Sequence, residues 1–364
     1  MKPVKKILVA PLDWGLGHAT RCIPIVQTLL HEGHQVVLAG NSTTQHILQQ
    51  EFPELSFLDL PGYDMRYTAS AFWLPWVLFK QIPKMLGRIK YEHAWLQQVV
   101  KDYQIDLIIS DNRYGLYHEQ LPSFIMCHQL QIQVPQSSWL HQKVNDWHAK
   151  QLARFRAVWI PDYVQESMAG QLSKPDKGLS VQYLGNLSRF QKPQVASEIE
   201  WDIVILLSGP EPQRTILEEL LMKPQTGRNP RILLVRGKPE SEDSTQYGEH
   251  VTVKSHLQAK KLQTAILQAR LVICRSGYST VMDLCKLHQR AILIPTPGQT
   301  EQEYLADYLM QRKWFFSVAQ SEWQWEQVLA EYAQFQFDSF PLWNMEQYQQ
   351  VLLDMLNDLS ATPS

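Results

Sequence analysis

One short stretch, KKILVAPLDWGLGHATR (residues 5–21), constrains this chain more than any other. The run KKILVA reads as a buried strand. ATRCIPIVQTLLHEG then reads as a helix, with Gly33 as its stop signal, and HQVVLAG as the next strand. A strand–helix–strand unit of this kind builds a parallel sheet, because the crossover helix must cover a sheet face. IDLIISD (105–111) and SFIMCH (123–128) read as further interior parallel strands, whose C-terminal ends carry ligand groups. Residues 81–101 read as a long amphipathic helix.

The second half repeats the plan. WDIVILLSG (201–209), PRILLVRG, ARLVICRSG (269–277) and RAILIPTPG read as strands. QRTILEELL, YSTVMDLCKLH and EQEYLADYLMQR read as the helices between them. A length of 364 residues accommodates two such domains. The expected division is 1–170 and 201–340, joined by a connection at 171–200 broken by Pro175, Gly178, Gly185 and Pro193. A helical tail is expected in 341–364.

Composition excludes several classes. A formal net charge of -2 speaks against a general nucleic-acid binder. The four cysteines, Cys22, Cys127, Cys274 and Cys285, show no CxxC spacing, so no zinc or redox site is signalled. Scattered cysteines in a chain of this size suit a reducing compartment. The apolar run after the basic N-terminus is too short for a signal peptide, and no stretch approaches the roughly 20 apolar residues of a spanning helix. The expectation is a cytoplasmic protein, soluble or peripheral to the inner face of the membrane.

The glycine turns carry the chemistry. Gly15 and Gly17 allow close approach of a ligand to a helix N-terminus, where unpaired amides favour an anion. His18 stands at the start of that helix, where a neutral imidazole can accept a proton near pH 7. An ordinary tight turn with a capping histidine fits the same residues. A dinucleotide fingerprint fits poorly, because Thr20 holds its third glycine position and Gly40 and Asn41, not an acid, end the second strand. In the second half, Ser208, Gly209 and Pro210 form another such turn. CRSGYSTVMDL adds Gly277, the hydroxyls of Ser276, Ser279 and Thr280, and the charge of Arg275, which can pair with phosphate. Asp283 shares a helix face with Thr280 and can accept hydrogen bonds from a ribose diol. Glu301 and Gln302 can read sugar hydroxyls. A capped helix and a solvated helix start would look alike at these last two places.

Together these residues resemble the GT-B glycosyltransferases that carry a glycosyltransferase 28 C-terminal type domain. The likeness is to the branch containing the peptidoglycan glucosaminyltransferase MurG and the plant galactolipid synthases. GLGHATR resembles that family's N-terminal glycine–histidine turn, RSGYSTVMD its R-S-G-x-x-T-x-x-E nucleotide motif, and EQEYLA its E-Q-x-x-N-A donor-sugar element. FIMCHQLQ resembles a histidine segment beside the acceptor. Asp283 stands in place of the usual Glu, Leu305 in place of Asn, and the first turn has fewer glycines than the MurG form.

The resemblance implies an α/β protein of two Rossmann-like domains with parallel sheets facing across a cleft. The first would bind the acceptor, the second a nucleotide-sugar, and the tail would cross back to the first. It implies metal-independent, inverting transfer from a UDP-sugar, such as UDP-N-acetylglucosamine, to an acceptor hydroxyl, with no cofactor. The donor side would comprise Ser208, Gly209, Leu257, Arg275, Ser276, Gly277, Thr280, Asp283, Glu301 and Gln302. Gly15, Gly17, Arg21, Asn112 and His128 would lie on the acceptor and diphosphate side. His18 is the expected base with Asp111 orienting it; in the alternative, His18 touches the diphosphate and Asp13 or Asp111 is the base.

The expected acceptor is a glycan or a lipid-linked molecule. Phe72, Trp73, Trp76 and Phe79 in the stretch 69–79, beside Lys80, Lys84 and Arg88, suit either a membrane contact or a domain core. Two other classes stand beside the transferase: a non-hydrolysing UDP-sugar epimerase, which would leave the nucleotide on its sugar, and a non-catalytic nucleotide-sugar-binding subunit.

Overall fold

The first strand, β1 (Lys6–Pro11), is fully buried from Ile7 to Ala10, as a central strand covered on both faces must be. Each such aliphatic side chain contributes about 1.5–3 kcal/mol through burial. The computed structural model, which describes residues 4–13, 15–63, 74–132, 138–175, 178–191, 198–222, 229–241 and 243–361, forms two units. One comprises Met1–Met65, Lys80–Ser188 and Leu342–Ser364, the other Arg66–Phe79 and Arg189–Pro341.

The chain continues through α1 (Leu16–His31), β2 (Gln35–Gly40), α2 (Ser42–Glu51), β3 (Phe57–Asp59), α3 (Leu74–Tyr103), β4 (Leu107–Asp111), β5 (Ser123–Met126), α4 (Ser138–Leu152), β6 (Ala157–Ile160) and β7 (Val181–Tyr183). These seven strands make one parallel sheet in the order β3-β2-β1-β4-β5-β6-β7. The order reverses between β1 and β4, which creates a switch point at their C-terminal ends. Leu8, Ala10, Val37, Leu96 and Ile108 pack one face of this sheet's core.

The second unit follows with β8 (Trp201–Leu206), α5 (Gln213–Leu221), β9 (Ile232–Val235), β10 (Ser244–Tyr247), β11 (Val251–Lys254), α6 (Ala259–Leu267), β12 (Ala269–Cys274), α7 (Tyr278–Leu287), β13 (Ala291–Leu293), α8 (Thr300–Gln311), β14 (Phe316–Ser317) and α9 (Trp325–Gln334). Its sheet runs β10-β11-β9-β8-β12-β13-β14, parallel except for the antiparallel pair β10–β11. The switch point here lies between β8 and β12. The last helix, α10 (Gln347–Ala361), packs on α1 in the first unit.

One expected boundary is corrected. Residues 171–188 are not a connection but part of the first unit: Gly170–Ser173 makes a short 3-10 turn and β7 completes the first sheet. A three-residue strand set between Pro175, Gly178 and Gly185 carries too little apolar run to show against its turn residues. Of the aromatic stretch 69–79, residues 69–73 and the side chains of 74–79 lie outside the described residues. Among the described residues no helix is long and apolar enough to cross a membrane.

Candidate functional site

In the first unit, the turn after β1 and the end of β4 meet at the switch point, and Leu12 N–H donates to the Asp111 carbonyl at 2.9 Å. Gly15 takes φ 88, a left-handed conformation that a side chain would strain, and α1 begins without a side-chain cap. Its first amides are therefore not claimed by a cap. Gly17 lies in the first turn, where its carbonyl accepts from Thr20 Oγ1 at 3.1 Å.

His18 projects from that turn with its Nδ1 3.1 Å from Asp111 Oδ2. Arg21, one turn on, forks over the same carboxylate: Nε donates to Oδ2 at 2.8 Å and Nη2 to Oδ1. Arg21 Nη2 also lies 3.0 Å from His18 Nδ1, and Nη1 donates to His128 Nδ1 at 3.0 Å. His18, Arg21, Asp111 and His128 are thus brought together as one cluster, all but His18 nearly closed to solvent. Burial alone would raise the Asp111 carboxyl, but Arg21 and His18 outweigh it and hold it well below the usual carboxylate range. Burial lowers His18; Asp111 raises it and Arg21 lowers it again, leaving it below its ordinary value.

Asn112 stands beside this cluster at φ 57, with its Oδ1 buried and without a partner among the described residues. Asp13, the alternative base, accepts from Tyr63 N–H at 3.1 Å. In the segment after His128, Leu130 N–H donates to the Leu172 carbonyl, and the Gln129 carbonyl accepts from His148 Nε2 at 3.0 Å. A second buried pair was not visible in the sequence. Arg113 donates to Glu92 Oε1 at 2.9 Å and to the Pro11 carbonyl at 2.8 Å, while Glu92 Oε2 accepts from Tyr63 Oη and Gly115 N–H. It ties α3 to the turns after β1 and β4. The one available signal was Glu92 on the α3 face that buries Ile89 and Leu96.

In the second unit, Gly209 turns at φ 90 after β8, and a Cβ there would lie 3.9 Å from Thr296 Oγ1, a buried hydroxyl with no partner among the described residues. Ser208 precedes it, half-buried. Gly277 is the cap residue of α7 and offers no side-chain cap, so the amides of the first turn, Thr280 among them, are left uncapped.

Arg275 is placed differently from the expected phosphate-pairing cation. It is fully buried, donating to the carbonyls of Ile294 (3.2 Å), Pro295 (3.0 Å) and Gln213 (2.9 Å). Burial pulls its guanidinium down to about 10. Ser276 Oγ is likewise engaged, donating to the Gln302 carbonyl at 2.8 Å, and Gln302 Oε1 accepts from Thr296 N–H at 2.9 Å. These three side chains brace the loop after β13. Glu301 is half-buried beside them.

Asp283 lies 3.7 Å from Arg189 Nε, an ion pair that the expected ribose contact did not include. Leu257 lines a hollow of about 370 Å³ with Trp201, Lys254, Lys260 and Thr264. None of the other expected donor residues lines that hollow. Among the described residues, no group of three or more His, Cys, Asp or Glu is placed to hold a metal ion.

Residues 213–346 match the glycosyltransferase family 28 C-terminal domain. Solved structures similar to the chain include the glycosyltransferase of kitacinnamycin (12% identity, TM-score 0.59, covering 98% of this chain and 96% of that one). Spinosyn rhamnosyltransferase SpnG complexed with thymidine diphosphate is another (14% identity, TM-score 0.58, covering 98% and 97%). Spinosyn forosaminyltransferase SpnP is a third (13% identity, TM-score 0.56, covering 99% and 96%). No curated protein sequence matches. The fold is therefore the two-domain GT-B fold of glycosyltransferases, and the enzyme class expected from the sequence rests on the domain matched in the second unit.

Proposed function

We propose that the chain transfers a sugar from a nucleoside diphosphate donor to an acceptor hydroxyl, with inversion and without a metal. The observation that carries this reading is the glycosyltransferase family 28 C-terminal domain over residues 213–346. The mechanism is drawn from the first unit. With its Nδ1 proton directed to Asp111, His18 keeps the Nε2 lone pair for the acceptor hydroxyl. The acceptor oxygen bonds to the anomeric carbon as the bond from that carbon to the diphosphate oxygen breaks. The hydroxyl proton passes to His18, and the nucleoside diphosphate leaves with the bonding pair.

On the donor side, the uncapped start of α7 and the Gly209 turn supply amides for the diphosphate. Arg275 acts from beneath, bracing the loop after β13 and adding positive potential. Thr280, Asp283, Leu257 and Glu301 remain the proposed contacts to ribose, base and sugar.

UDP-N-acetylglucosamine is the proposed donor, following the likeness to the MurG and galactolipid synthase branch. Thymidine diphosphate is the second reading, favoured by the SpnG complex. The acceptor is proposed to be a glycan or a lipid-linked sugar. Exposed Lys80, Lys84, Ile82 and Leu86 on α3 support contact with the inner face of the membrane.

The test is a thermal-shift panel of UDP, dTDP, GDP, ADP and NAD, followed by assay of free nucleoside diphosphate release. A ligand at a hundred times its Kd stabilises the fold by about 2.7 kcal/mol. Stabilisation by UDP or dTDP with acceptor-dependent release supports transfer. Binding with sugar isomerised but no nucleotide released points to an epimerase, and a response to NAD alone or to none of the five overturns the reading. His18→Ala should lower kcat by about 10²–10⁴-fold with the fold intact.

A further inference from the structure

We infer that Arg21 is a positioning residue that sets the protonation state of His18, by neutralising the one carboxylate that would otherwise hold a proton on the imidazole. This rests on the reading of His18 as the base. A histidine paired with a buried aspartate alone is driven towards the charged imidazolium, which is useless as a base until it loses its proton. Here the aspartate is already taken. Arg21 meets Asp111 through both Nε and Nη2, and its remaining donors face His18 Nδ1 and His128 Nδ1, each at 3.0 Å.

Among the described residues, the charged or titratable groups acting on His18 are Arg21 from α1, Asp111 from β4 and His128 after β5, while Cys22 meets Asp111 and both Cys22 and Cys127 act on Arg21. Burial pushes the Cys22 thiol up, so it stays neutral. Arg21 and Asp111 therefore cancel, and a charged His18 would leave the buried cluster with net charge +1. Two neutral arrangements are open to His18: Nδ1–H donating to Asp111 Oδ2, or Nδ1 accepting from Arg21 Nη2. The first frees Nε2 as the base, and the second excludes the imidazolium, whose Nδ1–H would meet the Arg21 guanidinium. Because an arginine can only donate, His128 Nδ1 must accept, which places the His128 proton on Nε2 and fixes the far side of the fork.

A merely structural counter-ion for Asp111 would satisfy the same distances, so the test must read the proton on His18. Full-length protein with ¹⁵N-labelled histidine is titrated by NMR, with His18→Gln used to assign the signal. The wild-type midpoint should lie below the ordinary histidine value of about 6.5. In Arg21→Gln it should move to higher pH by about one pH unit or more, because Asp111 then acts on His18 unopposed. Arg21→Lys keeps a charge and should stay within about half a pH unit of wild type. A midpoint unchanged in Arg21→Gln, or moved as far in Arg21→Lys as in Arg21→Gln, overturns the inference. If Arg21→Gln does not fold, Arg21→Lys is read against wild type, and a midpoint moved by about a full pH unit or more, or a wild-type value at or above about 6.5, overturns it.

The acid limb of kcat/KM, read on the same proteins, should move with the NMR midpoint. If the midpoint moves and the limb does not, His18 is not the base while Arg21 still sets its charge.

Discussion

Arg21 and Arg275 are among the largest fully buried side chains, one at the switch point of each sheet, and they are held by opposite means. Arg21 lies on a helix and is matched by a full negative charge, the Asp111 carboxylate. Arg275 ends a strand and is matched by three main-chain carbonyls, which carry only partial charge. Among the described residues, no carboxylate pairs with it. A carboxylate partner makes the site locally neutral and leaves proton affinity as the property to be adjusted. Carbonyl partners anchor loops and leave a positive charge in place, which suits a site that receives an anion.

The largest effect should come from removing the charge partner of Asp111. Arg21→Met leaves a fully buried carboxylate without its permanent counter-charge, with only His18 beside it, and should lower stability by about 3–5 kcal/mol in chemical denaturation. Arg275→Met should cost less, about 1–3 kcal/mol, because it orphans carbonyls but strands no charge. Its larger consequence should be on binding, with a roughly tenfold or greater rise in the Kd for nucleoside diphosphate by calorimetry. Equal stability losses in the two variants would break the comparison.

The pH dependence of stability should also differ. His18 is lowered in the folded state, so below its ordinary value the unfolded chain binds the proton more readily and stability falls as pH falls. The contribution is full above about pH 6.5 and is lost on acidification, at no more than about 1.4 kcal/mol per pH unit. Asp111 adds to the loss only further down, below about pH 4, because its carboxyl is held low. His18→Gln should flatten the slope just below pH 6.5 and leave the lower part unchanged. A slope unaltered by this substitution would mean that His18 titrates as freely as in the unfolded chain.

The elements that carry both switch points were legible because they are apolar runs with a clear stop: β1, β8 and β12 run into glycine turns, and β4 ends in Ser110 and Asp111. The β10–β11 hairpin was not, because Ser244–Tyr247 is exposed throughout and buries no face that could leave a period. The short β3 and β7 fail for a similar reason. At the site, His18 and Asp111 could be paired from their places at the ends of adjacent strands. Arg21 could not be assigned to them, since a basic residue one turn into a helix that starts at a glycine turn reads equally as a phosphate ligand. For Arg275 too, sequence shows a charge beside a glycine turn, but not the main-chain carbonyls that the side chain meets. Thr296 carried no signal at all, because an unpartnered hydroxyl is a property of packing.

The smallest effect tests the difference between two helix starts, that of α2 in the first unit and that of α7 in the second. α2 is capped by its own Asn41, whose Oδ1 accepts from Thr44 N–H at 3.0 Å, so that helix presents fewer open amides to a ligand. α7 begins at Gly277 with no such cap. Gly277 has φ -70, which any residue tolerates, and an added Cβ would meet nothing nearer than Thr280 Oγ1 at 4.0 Å. Gly277→Ser should therefore fold without strain, and its hydroxyl can accept from the amide of Ser279 or Thr280. Stability should be unchanged or higher by a few tenths of a kcal/mol, about the difference between Ser and Gly at a cap. Nucleotide affinity should fall, because the new side chain occupies amides that the diphosphate would use. A variant that gains the cap and still binds nucleotide as tightly as wild type would remove the start of α7 from the donor site, and leave the Gly209 turn as the anion site of the second unit.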